Sequence, residues 1–186
     1  MIIAVVGSGG KTTLIKKLAE QYRAEGKSVL VTTTTHMFIE KDTLLTDDAD
    51  TILRALEESG YAMAGIPAGE KIRALSTETF RTVCTHADVV LVEADGSKHM
   101  PLKYPNDSEP VIPDNVEQII VVWGSHGLYK PVREVCHRLE LVVQCLGIDE
   151  ETVITDEHVR KLIREGYILP LQKKYPQTEI SIYPNL

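Results

Sequence analysis

Apolar runs alternate with amphipathic stretches along this chain, and the alternation predicts an α/β protein. The runs Met1–Val6, Ser28–Thr32, Asp88–Glu93 and Gln118–Trp123 are apolar and β-branched except at their ends. Strands of this kind are buried on both faces, which is typical of a parallel sheet covered by helices on both sides. We therefore expect a three-layer α/β fold with a mostly parallel sheet.

The segments between these runs place apolar residues at helical spacing. A helix is predicted over residues 12–25, where Gly26 ends it, and another over residues 76–86. Apolar positions from Val132 to Leu146 indicate one long helix, closed by Gly147. The other predicted elements are a helix capped by Asp50 or Thr51 and ended by Gly60, a helix over Asp156–Glu165 followed by Gly166, and short strands at Tyr61–Gly65 and near Glu179–Tyr183.

One segment lacks any such pattern. Residues 97–115 contain four prolines and cannot form a long regular element. Such a segment is often functional, as a lid or a docking surface, and an ordinary excursion stiffened by proline is the alternative. No linker stands out, and 186 residues, 43% of them hydrophobic, suit one domain spanning 1–186.

Charge and cysteine content narrow the classes of function. The net charge of −7 argues against a general nucleic-acid-binding surface. Three scattered cysteines, Cys84, Cys136 and Cys145, are typical of reduced thiols in a cytosol. We find no apolar run long enough to span a bilayer and no cleavage signal, so we expect a cytoplasmic protein with no membrane partner. The oligomeric state is left open.

The most informative motif follows the first apolar run, and it consists of Gly7, Ser8, Gly9, Gly10, Lys11, Thr12 and Thr13. Glycines let main-chain N–H groups turn toward an anion, a lysine reaches the terminal phosphates, and a threonine hydroxyl can bind Mg²⁺. The N-terminus of the following helix adds partial positive charge. The motif therefore predicts a phosphate-binding loop of the P-loop NTPase type, with ATP or GTP and Mg²⁺ as ligands.

The spacing of this motif departs from the usual G-x-x-x-x-G-K-[ST]. Val5 stands where the first glycine would be, so the loop reads G-x-x-G-K-T from Gly7 and is two residues shorter. A glycine-rich turn with a surface lysine is the alternative, but strand, loop and helix follow in the order that a phosphate loop requires. A dinucleotide fingerprint would need glycine where Thr12 stands.

Two carboxylates follow the apolar run that starts at Asp88. Glu93 and Asp95 come at its end, where an acid commonly holds Mg²⁺ opposite the loop hydroxyl. We predict a metal site of Thr12, Glu93 and Asp95, and catalytic roles for Lys11, Glu93 and Asp95. A turn at Gly96 capped by Asp95 is the alternative for that residue alone.

Other polar residues are weaker candidates. Thr35 and His36 could face a γ-phosphate or a second metal ion, and an ordinary strand end is an equal alternative. Lys98 is close in sequence to the metal acids and could touch a bound phosphate. His137 and Arg138, on the predicted long helix, are the remaining pair.

Several stretches together resemble the YqeC-type family, whose members are described as accessory proteins of selenium-dependent hydroxylases. The resemblance runs from the N-terminus to about Ile163 and lies in Val6–Thr13, Val29–His36, Glu93–Ser97, Pro101–Lys103, Glu109–Pro113 and Val135–Arg138. It implies a P-loop nucleotide-binding fold and a role in the maturation of molybdenum hydroxylases that carry selenium. The implied partners are a molybdenum hydroxylase or its cofactor-assembly proteins.

The resemblance leaves the reaction undefined. The tail Gln177–Leu186 lacks the Asn-Lys pair with which relatives could select a base, so the choice between ATP and GTP stays open. We expect a Mg²⁺-dependent NTPase. The alternatives are a nucleotide-gated binding module without turnover, and a small-molecule kinase or ligase, because the short loop also resembles that of Mur-type ligases.

Overall fold

The computed structural model describes residues 1–96 and 98–185, and it confirms an α/β fold with a mixed, mostly parallel sheet. Ser97, which ends the motif that starts at Glu93 and begins the proline-rich segment, lies outside the described residues, as does Leu186. The elements in chain order are β1 (Ile2–Gly7), α1 (Lys11–Ala24), β2 (Val29–Thr33), β3 (His36–Phe38), β4 (Thr43–Leu45), α2 (Ala49–Ser59), β5 (Tyr61–Ala68), β6 (Lys71–Arg73), α3 (Thr77–Cys84), β7 (Val89–Glu93), β8 (Leu102–Lys103), β9 (Gln118–Gly124), α4 (Val132–Val135), β10 (Cys136–His137), α5 (Leu139–Leu146), α6 (Asp156–Ile163), α7 (Leu169–Lys174) and β11 (Glu179–Asn185).

The chain divides into two compact units, each built from three separate stretches of sequence. Unit 1 comprises Met1–Val5, Thr12–Asp95 and Val111–Glu117. Unit 2 comprises Val6–Lys11, Gly96–Pro110 and Gln118–Leu186. One boundary between the units falls inside the glycine-rich loop, between Lys11 and Thr12. Whether the whole chain acts as one domain stays a prediction.

Unit 1 is built on strands in the order β1-β7-β2-β5-β6-β3, with β4 beside β5. The pairs among β1, β7, β2, β5 and β4 are parallel, whereas β6 runs antiparallel to both of its neighbours. Val5 and Thr33 both stand opposite Glu93 in the ladder. The carboxyl ends of β1, β2 and β7 therefore meet at one edge of the sheet, as the sequence predicts.

Burial explains why these three strands are central. Every residue of β2 and β7 is buried, and so is every residue of β1. Helix α1 buries Leu14, Ile15 and Ala19, as its apolar period predicts, and Gly26 follows it with a φ of 78°. Burial of apolar side chains stabilises the fold by roughly 25 cal/mol for each Å² removed from water.

Unit 2 contains the rest of the regular structure. Strands β9 and β11 pair in parallel over seven residues, from Glu179 opposite Gln118 to Asn185 opposite Gly124. A two-residue parallel ladder joins β8 to β10. The segment between Gly96 and Pro110 forms no other regular element among its described residues, which agrees with its proline content.

The predicted long helix over 132–146 is wrong. The chain instead forms α4, then β10, then α5, and Arg138 adopts a left-handed conformation with φ 63° and ψ 56°. Cys136 and His137 pair with Leu102 and Lys103, which removes them from a helix. The apolar spacing misleads because the two short helices and the three-residue break between them keep the same period.

Two other boundaries also differ from prediction. Gly166 does not end its helix, because α6 continues through a π-helical turn at Arg164–Ile168 into α7. A side chain at position 166 would crowd its neighbours, because a Cβ there would lie 3.0 Å from Pro105 Cδ. Asp48 caps α2 instead of Asp50 or Thr51, since its side chain accepts a hydrogen bond from Thr51 N. Gly60 ends α2 as predicted, with a φ of 67°.

Sequence patterns miss the short elements β3, β4, β6, β8, β10 and α7, which span two to six residues. Ladders this short have too few positions for a period to show. Within residues 1–96 and 98–185, none of the helices has the length and apolar character that crossing a bilayer requires.

Thr32 offers a test of how β2 is held. The residue is 1% exposed, and its hydroxyl donates to Ala64 O at 2.8 Å just beyond the last β2–β5 ladder pair. We expect Thr32→Val to lower the free energy of unfolding by about 1–3 kcal/mol, because the buried carbonyl loses its donor. Urea unfolding measures this, and a stability equal to that of the unmodified protein would contradict it.

Candidate functional site

The glycine-rich loop is anchored by hydrogen bonds inside unit 2. Ser8 N donates to Val122 O at 2.9 Å, and the Ser8 hydroxyl donates to Met100 O. Gly7, Gly9 and Gly10 have φ values of 92°, 70° and 127°. These left-handed conformations turn the main chain in a way that residues with a side chain rarely adopt.

Gly9 also has no room for a side chain. A Cβ at this position would lie 2.6 Å from Gly124 N and 2.7 Å from Pro101 O. Both are main-chain atoms, which cannot move aside as a flexible side chain can. The same Pro101 carbonyl accepts a hydrogen bond from Gly124 N at 2.9 Å, so the start of the proline-rich segment packs directly on the loop.

Lys11 is folded over this loop. Its side chain is buried, at 4% exposure for the residue, and its Nζ donates to Gly7 O at 3.0 Å. The ammonium group is thus held beside the glycines that the sequence predicts to bind phosphate. Thr13, on the first turn of α1, is exposed.

Unit 1 brings Thr12 to the acid at the end of β7. The Thr12 hydroxyl donates to Glu93 Oε2 at 2.9 Å, across 81 positions of sequence. Glu93 is 7% exposed and Asp95 is fully buried. The hydroxyl of Thr12 and the strand-end carboxylate of Glu93 are therefore in direct contact.

The threonine run after β2 surrounds the same strand end. Thr33 donates its hydroxyl to Glu93 O at 2.8 Å, and Thr34 donates its hydroxyl to Val111 O at 2.6 Å. Thr35 N donates to the Thr33 hydroxyl at 3.0 Å. Backbone contacts therefore occupy Thr33 and Thr34. His36 is exposed on β3, opposite Arg73 in the antiparallel ladder. Roles for Thr35 and His36 stay predictions.

The hydroxyl and carboxylate oxygens of Thr12, Glu93 and Asp95 are of the kind that Mg²⁺ prefers as ligands. Within the described part of the chain, no group of three or more His, Cys, Asp or Glu side chains could hold a metal ion by itself. Mg²⁺ is usually held by one or two carboxylates together with phosphate oxygens and water, so a complete protein cage is not expected. Of the three predicted ligands, Thr12 and Glu93 contact each other and Asp95 is buried, and the metal role of all three stays a prediction.

Unit 2 contains a cluster of charged side chains that the sequence analysis did not predict. Lys103, with a fully buried side chain, contacts Glu109 Oε2 at 2.6 Å and Gly96 O at 2.5 Å. Arg138 Nη2 contacts the same Glu109 oxygen at 2.8 Å. Burial raises the pKa of Glu109, but hydrogen bonds and charge attraction from both cations outweigh it, so the pKa is lowered. In the sequence, Lys103 between Pro101 and Pro105 is the signal that could have indicated this cluster.

His137 and Lys98 adjoin this ion cluster. Burial lowers the pKa of His137, the positive charges of Arg138, Lys103 and Lys98 lower it further, and Glu109 partly opposes them. Lys98 is exposed and has a φ of 48°. The structure thus brings three of the weaker sequence candidates, Lys98, His137 and Arg138, into one electrostatic environment in unit 2.

Unit 1 also contains a cavity that the sequence does not reveal. It has a volume of about 690 Å³ and lies between α3 and the segment 111–117. Leu75, Phe80 and Ile112 give it an apolar lining, and Thr33 and Thr34 reach it from the end of β2. Cys84 lines it as well, and burial raises the pKa of that thiol to about 11, so it stays protonated at neutral pH.

Substitution of Gly9 tests the geometry of the loop. Gly9→Ala should destabilise the protein more than Gly26→Ala, because both positions have positive φ but only Gly9 abuts main-chain atoms. We expect about 1–2 kcal/mol for Gly26→Ala from backbone strain alone, and a larger loss for Gly9→Ala. Urea unfolding of both variants measures the difference, and equal losses would contradict the close packing.

Glu109 gives a test by pH. Because its pKa is lowered in the folded protein, its contribution to stability is complete above the ordinary glutamate pKa of about 4.3 and is lost as the pH falls through the folded value. The difference in free energy of unfolding between the protein and Glu109→Gln should therefore be constant near neutrality and shrink in acid. A difference independent of pH down to the acid transition would contradict the ion cluster.

Comparison with known proteins gives the chain a family. The family model described as YqeC protein matches residues 3–140. A protein of Escherichia coli (strain K12) described as "Uncharacterized protein YqeC" is 35% identical over 175 residues, which cover 88% of this chain and 67% of that protein. No solved structure gave a significant match. All the motifs that carry the resemblance lie within residues 3–140. The chain belongs to the YqeC family.

Proposed function

We propose that this chain binds a nucleoside triphosphate together with Mg²⁺ and hydrolyses it or transfers its terminal phosphoryl group. The observation that carries the proposal is the hydrogen bond from the Thr12 hydroxyl to Glu93 Oε2 at 2.9 Å. It joins the residue that follows the loop lysine to the acid at the end of a central strand. That combination is the metal side of a phosphate loop.

The loop supplies the phosphate side. Main-chain N–H groups of the loop other than that of Ser8, which donates to Val122 O, would hold the phosphates. The Lys11 ammonium, which now donates to Gly7 O, would turn to β- and γ-phosphate oxygens. Lys11 and Thr12 are consecutive in the sequence. Positioning and charge stabilisation by these groups would supply nearly all the catalysis.

Thr12, Glu93 and Asp95 would hold the metal ion. When bound, Mg²⁺ neutralises charge on the phosphate oxygens, which is the chemistry that phosphoryl transfer needs. Glu93 and Asp95 are buried, and acids at the end of a central strand are the usual metal-side partners of a phosphate loop. The Thr12 hydroxyl would give up its bond to Glu93 to enter the coordination shell.

The sheet of unit 1 supports this assignment. Ligands of open parallel sheets bind beyond the carboxyl ends of the strands, and the ends of β1, β2 and β7 coincide there. We infer from this a three-layer, P-loop NTPase-like architecture. The maturation of a selenium-dependent molybdenum hydroxylase, which the family resemblance implies, is proposed as the setting of the reaction, with that hydroxylase or its assembly proteins as partners.

One observation favours a second function, a nucleotide-gated binding module. The proline-rich segment contacts the loop through Met100 and Pro101, which accept hydrogen bonds from Ser8 and Gly124. A nucleotide that shifts the loop would disturb these contacts, and a partner could read the change. Amide hydrogen exchange of residues 98–110, with and without nucleotide, separates this function from turnover alone, because unchanged protection would exclude gating.

Lys11→Ala should abolish the turnover of ATP or GTP, because no other charge of the loop replaces the ammonium. Lys17→Ala, an exposed lysine on the same helix, is the matched control and should retain full activity. Thr12→Ala should reduce turnover and raise the Mg²⁺ concentration needed for half of it. Phosphate release measured for all four proteins tests this, and Lys11→Ala with unaltered turnover would contradict the proposal.

A further inference from the structure

A cavity of about 690 Å³ lies within unit 1, between α3 and the segment 111–117, and the proposed function does not use it. Protein interiors are close-packed and leave few voids larger than a water molecule. Pockets that hold small organic ligands measure roughly 300–1,000 Å³. The volume of this cavity therefore suits a ligand, and it exceeds what imperfect packing of a core leaves.

The segment 111–117 is held over the sheet at both of its ends. Val111 N donates to Ala94 O at 2.9 Å, just after β7 ends, and Glu117 N donates to Ile2 O at 2.9 Å, where β1 begins. The segment thus runs from the carboxyl edge of the sheet to its amino edge. Because main-chain hydrogen bonds fix this wall, the space between it and α3 is preformed.

The lining of the cavity is apolar, and its charged groups are paired. Apolar side chains dominate it, among them Leu75, Phe80 and Ile112. Arg81 Nη2 lies 3.7 Å from Asp114 Oδ2, and these two side chains are 72% and 82% exposed. Glu117 Oε1 lies 3.5 Å from the N-terminal ammonium. Because these charges balance each other, the cavity suits a ligand whose body is uncharged and apolar.

The polar end of the cavity adjoins Glu93. Thr33 and Thr34 line this end, and both contact Glu93 O, through the Thr33 hydroxyl at 2.8 Å and through Thr34 N at 3.1 Å. The Thr34 hydroxyl donates to Val111 O at 2.6 Å, and its oxygen still has lone pairs that can accept a hydrogen bond. A ligand with one hydroxyl group could donate to this oxygen.

The apolar walls do not suit a nucleobase. The edges of a base carry several donors and acceptors, and burying them against apolar side chains costs free energy unless each finds a partner. An apolar ring with a single hydroxyl avoids that cost, and Phe80 gives such a ring an aromatic surface to pack on. The chemistry of the lining therefore favours a small molecule other than the nucleotide.

We propose that the cavity of unit 1 binds a small, uncharged molecule that combines an apolar ring with a hydroxyl group. The ring packs against Leu75, Phe80 and Ile112, and the hydroxyl donates to the Thr34 hydroxyl oxygen. The ligand lies beside the strand end at which Glu93 contacts Thr12. Its binding does not depend on the proposed function, although the two sites adjoin each other.

Titration with 2-naphthol tests the site, because this probe is uncharged near neutral pH and combines an aromatic ring system with one hydroxyl. The methyl signal of Ile112, identified by its loss from the spectrum of Ile112→Val, reports binding by NMR. Ile66, which is half-buried in unit 1 but outside the lining, is the internal reference. A saturable shift confined to Ile112 supports the site. No saturable shift at Ile112, or an equal shift at Ile66, overturns it.

A charged probe tests the chemistry of the cavity. 2-Naphthoate has the same ring system but carries a negative charge, and it should bind about tenfold more weakly or less, because a buried charge needs a partner. Equal affinity for the two probes would contradict an uncharged ligand.

Two pairs of matched variants locate the probe. Phe80→Ala should weaken binding about fivefold or more because it removes the aromatic wall, whereas Phe38→Ala, which changes the other phenylalanine of the chain, should not. Ala74→Phe fills the cavity and should weaken binding about tenfold or more, whereas Ala68→Phe, also half-buried in unit 1 but outside the lining, should not. Thermal unfolding shows which variants are folded. Equal affinities within a folded pair would contradict the proposal.

A last arm separates this site from the nucleotide site. The 2-naphthol titration is repeated with the protein saturated with ADP and Mg²⁺, and the probe should still bind. Displacement of the probe by ADP would show that the nucleoside occupies the cavity, and it would overturn the separate site. If the probe binds and no nucleotide does, the proposed function fails and the cavity site stands. If nucleotide binds and the probe does not, the cavity site fails and the proposed function stands.

Discussion

The loop between β1 and α1 is packed so closely that it has no room for side chains at its glycines. The rest of the structure depends on this constraint. Gly7, Gly9 and Gly10 adopt conformations that other residues avoid, and main-chain atoms of Pro101 and Gly124 close in on Gly9. A loop packed in this way presents main-chain N–H groups in a fixed arrangement. The same packing holds the loop against Met100 and Pro101 at the start of the proline-rich segment.

Parallel strand register gives this loop its chemical setting. Because Thr33 and Val5 stand opposite Glu93, residues distant in sequence meet at one edge of unit 1, and Thr12 reaches Glu93 there. In unit 2, Lys103 and Arg138 contact the same carboxylate oxygen of Glu109.

The sequence predicted the parts of the fold that have long, strong patterns. The buried strands followed from apolar runs, and the end of the first helix followed from Gly26. The helix break at Arg138 did not, because the ion pair with Glu109 and the β8–β10 ladder are tertiary contacts that leave the apolar period unchanged. Gly166 misled for a similar reason, since its small size serves packing against Pro105 and not a helix end. The basic cluster joins residues from two separate segments, and spacing alone cannot reveal that.

Calorimetric titration of the unmodified chain with ATP and with GTP, each in the presence and absence of Mg²⁺, tests the central claim most directly. The account predicts saturable binding of at least one triphosphate at one site per chain, strengthened by Mg²⁺ because the ion links the phosphates to Thr12 and Glu93. No measurable affinity for either triphosphate under both conditions would contradict it.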